Sequence, residues 1–124
     1  MKTLDQKRAK FAWEETQNQY KKKDEKEFKE YRNLVKSAPA MVMTNGLMQT
    51  LAFLKGKSKS NDDPYNTLIC QIREWLERRD IISGRDFSQM MQTLYEMNSH
   101  EYQMATEETT AILRWLRQFV DTVD

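Results

Sequence analysis

Very few groups in this chain could do covalent or acid–base chemistry. Cys70 and His100 are its only cysteine and histidine, and so the one pair that could act as nucleophile and base. Cys70 falls mid-helix beside Ile69 and Ile72, where a buried thiol behaves as a small hydrophobe, and His100 falls at an exposed helix start. The two are not expected to meet. A Cys/His zinc site needs three or four converging ligands, which this inventory excludes. Asp62-Asp63 and Glu107-Glu108 are adjacent carboxylates of the kind that hold hard cations or move protons. Neighbouring helix positions point about 100° apart, so Glu107 and Glu108 do not converge on one ligand, and Asp62-Asp63 is explained as a helix cap. Gly46, Gly56 and Gly84 stand singly, so no phosphate cradle is present. No catalytic, cofactor-binding or metal-binding residue is expected.

Cations are the more promising material. Lys7, Arg8, Lys10, Lys21, Lys22 and Lys23 flank Phe11, Trp13 and Tyr20, and Lys55, Lys57 and Lys59 form a second basic element. Basic residues interleaved with aromatics suit a nucleic-acid backbone, although a solvated helix face explains these lysines about as well. The net charge of +1 conceals an asymmetry: residues 1–59 hold 14 Lys/Arg against 7 Asp/Glu, and residues 60–124 hold 6 against 12. Such a dipolar chain can orient on a polyanion or stack plus end to minus end, and the sequence leaves both open.

The elements that position these groups read as helices. With three glycines and two prolines in 124 residues, 39% of them hydrophobic and 31% charged, the chain suits one all-α domain over 1–124. It divides into a basic part, 1–59, and an acidic part, 60–124. A compact bundle of about six helices fits. Thr3 and Gln6 form a capping box ahead of a stripe at Ala9, Trp13, Thr16 and Tyr20, with a break at Lys21-Lys22-Lys23. Asp24 caps a second helix with Phe28, Tyr31, Leu34 and Val35 on its apolar face, running to about Ser37. Pro39 opens a third, to about Leu54, with Ala40, Met43, Leu47, Leu51 and Leu54 on one side. Residues 55–63 have the composition of a mobile loop. Asp63-Pro64 starts a fourth helix to about Arg79, with Tyr65, Leu68, Ile69, Ile72, Trp75 and Leu76 on its apolar face. Asp86 and Gln89 cap a fifth bearing Phe87, Met90, Met91, Leu94 and Met97. After a break at Asn98-Ser99, the last carries Tyr102, Ala105, Thr109, Ile112, Leu116, Phe119 and Val123. The methionines read mainly as core filler.

The stretch Ala38–Leu54 is too short and too polar to span a bilayer, and no secretory signal opens the chain. With a single cysteine there is no internal disulfide, so a cytoplasmic location is expected.

Three stretches carry a family pattern: Gln6-Lys7-Arg8-Ala9; Ser37 to Lys55, with Pro39, Asn45-Gly46-Leu47 and Ala52-Phe53-Leu54; and Thr106 to Val120, with Trp115-Leu116. In order and spacing the chain resembles the Cmr small-subunit family, the small helical protein of the type III-B CRISPR effector complex. That resemblance implies a non-catalytic subunit of antiviral defence without cofactors, repeated in a minor filament beside the backbone subunits. Its implied partners are the backbone and large signature subunits, further copies of itself, and the guide and target RNA. Phosphate-directed contacts are then expected from Arg8, Lys21, Lys22, Lys55, Lys57 and Lys59, of which Arg8 and Lys55 lie within family-matching stretches. Gly46, read as a helix-interior residue, implies close approach of another helix. The alternative is a helical protein–protein adaptor with no RNA contact.

Overall fold

Side-chain caps start most of the helices in the computed structural model, which describes residues 1–123. The Thr3/Gln6 capping box opens α1 (Leu4–Lys22), and the Asp24 carboxylate accepts the Glu27 N–H to open α2 (Glu25–Asn45). After α3 (Leu47–Lys57), Asp63 caps α4 (Pro64–Arg78). Asp86 caps α5 (Phe87–Glu96), and an Asn98/Glu101 capping box opens α6 (Ser99–Phe119). Each such cap satisfies backbone donors that have no partner within the helix. The fold is an all-α bundle of six helices.

α6 sits at the centre, packed against α1, α2 and α4, while α2 also meets α3 and α4, and α3 meets α4. Ile112, Leu113 and Leu116 of α6, Leu68, Ile72 and Leu76 of α4, and Leu47, Leu51 and Leu54 of α3 are fully buried. Burying each such side chain contributes about 1.5–3 kcal/mol. α5 adds Met90 and Leu94 to the same core.

Two boundaries and one helix face differ from the sequence expectation. The second helix does not end at Ser37 but continues through Pro39 to Asn45. A proline inside a helix removes one backbone hydrogen bond, and here its ring is buried in compensation, along with Val35, Ala38 and Val42. Ala40 and Met43, expected inward, therefore face water. The α1 stripe is also rotated: Phe11, Ala12 and Thr16 are buried, whereas Tyr20 is exposed and packs edge-on against Phe28. Finally, Lys55 and Lys57 belong to the last turn of α3, and the loop that follows is organised about one carboxylate. Asp63 accepts the backbone N–H groups of Lys59, Ser60 and Asn66 and the Ser58 hydroxyl. Burial raises the Asp63 pKa, but these donors outweigh it and hold the group below its ordinary value.

The α2–α3 junction rests on Gly46, at φ +86° and ψ 164°, a conformation open essentially to glycine alone. α3 has no side-chain cap of its own; instead the Tyr102 hydroxyl of α6 accepts the Met48 N–H at 3.0 Å. A Cβ on Gly46 would meet nothing nearer than that hydroxyl at 3.9 Å, so a substitution there suffers backbone strain rather than a clash. Gly46→Ala is expected to cost about 2 kcal/mol in urea unfolding. Gly56→Ala, inside α3 with open space around it, should instead stabilise by about 0.5 kcal/mol. Equal effects of the two would contradict this account of the junction.

Candidate nucleic-acid interface

Lys21 and Lys22 lie exposed in the last turn of α1. Lys23, the C-cap, reaches across to the loop before α4, donating to the Asp62 carbonyl at 2.8 Å and the Thr67 hydroxyl at 3.2 Å. That bridge brings Lys21, Lys22 and the exposed Lys59 to one end of the bundle. Lys55 and Lys57 are exposed on α3, with their ammonium groups over the Phe87 and Phe53 rings at 5.7 and 5.8 Å from the centroids. Those ring contacts leave each ammonium hydrated and able to meet a phosphate.

Arg8 has a different place. Its guanidinium grips Glu108 with both arms, Nε to Oε1 at 2.9 Å and Nη2 to Oε2 at 2.7 Å. The Trp75 indole N–H donates to the same Oε1 at 2.8 Å, and Arg79 approaches it at 3.7 Å. Glu108 thus joins α1, α4 and α6 at one buried point. Burial alone would raise its pKa, but the Arg8 and Trp75 hydrogen bonds and the two guanidinium charges bring it below the ordinary carboxylate value. The bidentate fork that suits Arg8 to phosphate is engaged within the fold. In sequence, Glu108 stands on the apolar stripe between Ala105 and Ile112, and a carboxylate at such a position requires a buried cation partner.

A second basic surface lies beside that ion pair. Lys2 just ahead of α1, Lys7 and Lys10 in its first turns, and Arg78 and Arg79 from the end of α4 line a groove of about 400 Å³ with a single carboxylate, Glu14. Its floor is Phe11, tilted by 41° against Trp75 at 5.1 Å between ring centroids and overlain by Arg78 at 4.8 Å. Both rings are nearly buried, at 3% and 4% exposure, so they support the cations and offer no face for a base to stack on. A groove of this charge can attract phosphates, and without an open ring face such contact carries no base preference. Lys7 and Lys10 stand out in the sequence beside Phe11 and Trp13, whereas Arg78 and Arg79 lie in the half with net negative charge and carry no such signal.

The remaining groups of possible chemistry lie apart. Cys70 is half-buried rather than sealed in the core, in contact with the Asn66 amide, and His100 is exposed in the first turn of α6. Glu107 points outward and accepts from Gln103, away from Glu108. Among the described residues no group of three or more His, Cys, Asp or Glu is placed to hold a metal ion, and no helix is long and apolar enough to cross a membrane. The family model described as CRISPR-associated protein (Cas_Cmr5) matches residues 4–123.

Proposed function

The chain belongs to this Cas_Cmr5 family of CRISPR-associated proteins, and on that premise we propose that it is a non-catalytic structural subunit of a type III-B effector, a cytoplasmic antiviral complex. It takes its place in the minor filament beside the backbone subunits, next to further copies of itself and within reach of the large signature subunit. There it lines the path of the paired guide and target RNA. The observation that carries this reading is the groove of Lys2, Lys7, Lys10, Arg78 and Arg79, five cations around one carboxylate. Lys21, Lys22 and Lys59 at the far end of α1, with Lys55 and Lys57 on α3, supply further phosphate contacts. A structural rather than chemical role is supported by where the carboxylates go: Glu108 into the interhelical ion pair and Asp63 into a cap.

Purifying the tagged chain from its native cell tests the reading directly. Short CRISPR-derived guide RNAs should come with it, together with a backbone subunit and a large signature subunit. An unrelated protein set without guides would overturn the RNA role and leave a helical adaptor.

A further inference from the structure

We propose that the polar cleft between α1 and α4 takes a single guanine nucleotide, reading the base through Gln71 and Glu15 and its phosphate through Lys22. The source of that nucleotide, a base turned out of the RNA, rests on the proposed function; the recognition chemistry rests on the cleft itself.

The cleft holds about 320 Å³, within the range of small-ligand sites, and lies on the opposite end of α1 from the phosphate groove. Its innermost wall is Gln71, 2% exposed. Tyr31, fully buried behind it, donates its hydroxyl to Gln71 Oε1 at 2.8 Å and so fixes the amide with Nε2 as the remaining donor. That Nε2 is buried and has no hydrogen-bond partner, alone in this among the side-chain atoms of the described residues. A buried donor left this way calls for an acceptor supplied from outside the chain.

The side walls ask for the opposite. Glu15 of α1 and Glu74 of α4 present carboxylate oxygens, which accept only, and Lys22 and Lys23 stand at the mouth. Burial, then the charge of Glu74, pushes the Glu15 carboxyl above its ordinary value, and the adjoining Gln71 amide with the charges of Arg78 and Lys22 tempers the rise. An incoming group must therefore carry one acceptor for Gln71, donors for Glu15, and negative charge for Lys22. Lys23 is held by Asp62 and Thr67, which leaves Lys22 as the phosphate contact. Guanine offers O6 beside N1–H and N2–H, one acceptor next to two donors, which answers Gln71 Nε2 and both oxygens of Glu15 together. Adenine, cytosine and uracil each bring one donor to the carboxylate beside their acceptor, and hypoxanthine lacks only the second donor.

The test is a nuclear magnetic resonance titration of the whole chain with GMP, IMP, AMP, CMP and UMP, following the Gln71 side-chain amide. GMP should shift that signal and bind about tenfold more tightly than IMP, the difference being one hydrogen bond to a charged acceptor. Glu15→Gln should remove the GMP preference while the chain stays folded, because it relieves the repulsion with Glu74. Gln71→Met is a poorer choice, since it strips Tyr31 of its acceptor. An unmoved Gln71 amide, equal affinity for GMP and IMP, or shifts confined to the Lys7 and Lys10 groove would overturn the site. RNA binding through the groove with Gln71 silent would reject this inference alone, whereas a complex purified without guides would reject the RNA source and leave a GMP-specific shift at Gln71 standing.

Discussion

Glu108→Ala should be the most damaging single change to stability, lowering the unfolding free energy by about 3 kcal/mol. The substitution leaves the Arg8 guanidinium and the Trp75 indole N–H facing a gap between three helices. The Glu108 side chain is 8% exposed and that of Arg8 20%, so water replaces the lost partner only in part. For a domain of this size the thermal midpoint should fall by about 10 °C. The pair Arg8→Met and Glu108→Leu, which removes both charges and keeps the volume, should recover much of that loss, because desolvating an ion pair offsets most of its attraction. A single Arg8→Met variant as stable as wild type would refute the network. The pH dependence follows the same residue. The Glu108 pKa is lower in the folded than in the unfolded chain, so its contribution is complete above about 4.5 and is lost as pH falls through the folded-state value. Asp63 acts in the same direction. Glu15, raised by burial, acts oppositely and costs stability as pH rises from about 4.5 through its higher folded-state value. The gap between wild type and Glu108→Gln in urea midpoint should therefore be wide at neutral pH and should close in acid.

The largest effect on binding is expected from reversing the groove. Lys2→Glu, Lys7→Glu and Lys10→Glu together should weaken association with single-stranded RNA on the order of thirtyfold at low salt and flatten the slope of log affinity against log salt by about 2, near 0.7 per lost phosphate contact. All three side chains are exposed and the substitutions leave the Glu108 network intact, so the circular dichroism and thermal midpoint should barely change. The loss should be similar for RNAs of different sequence, since the Phe11 and Trp75 rings are covered. Reversing Lys21, Lys22 and Lys59 instead provides the comparison for the other end of the bundle. A larger loss there would move the RNA face away from the groove, and a slope unchanged by either set would remove phosphate contact from the function.

The linear charge asymmetry is partly erased by folding. Arg8 pairs with Glu108, and Arg32 and Lys36 both meet Asp121, so cations of the basic part are neutralised by carboxylates of the acidic part. The cations that remain exposed include clusters at the two ends of α1, one of them joined by Arg78 and Arg79, and Lys55 and Lys57 on α3.

Local rules were enough for much of this protein. Thr3, Asp24, Asp63 and Asp86 name their helices from sequence because a cap is a contact across three residues. The inward faces of α4 and α6 follow from spacing alone, since a long amphipathic helix has one way to bury its stripe. The family pattern, too, was legible in three stretches. Pro39 misled because its local preference for a first turn yields to tertiary burial, which carries α2 past Ser37 to Asn45, at the junction that Gly46 alone can make. The partner of Glu108, the orphan amide of Gln71 and the union of Lys7 with Arg78 lay beyond sequence reading. Each is a meeting of groups tens of residues apart, and the packing of α1 and α4 on α6, rather than any local preference, sets those distances.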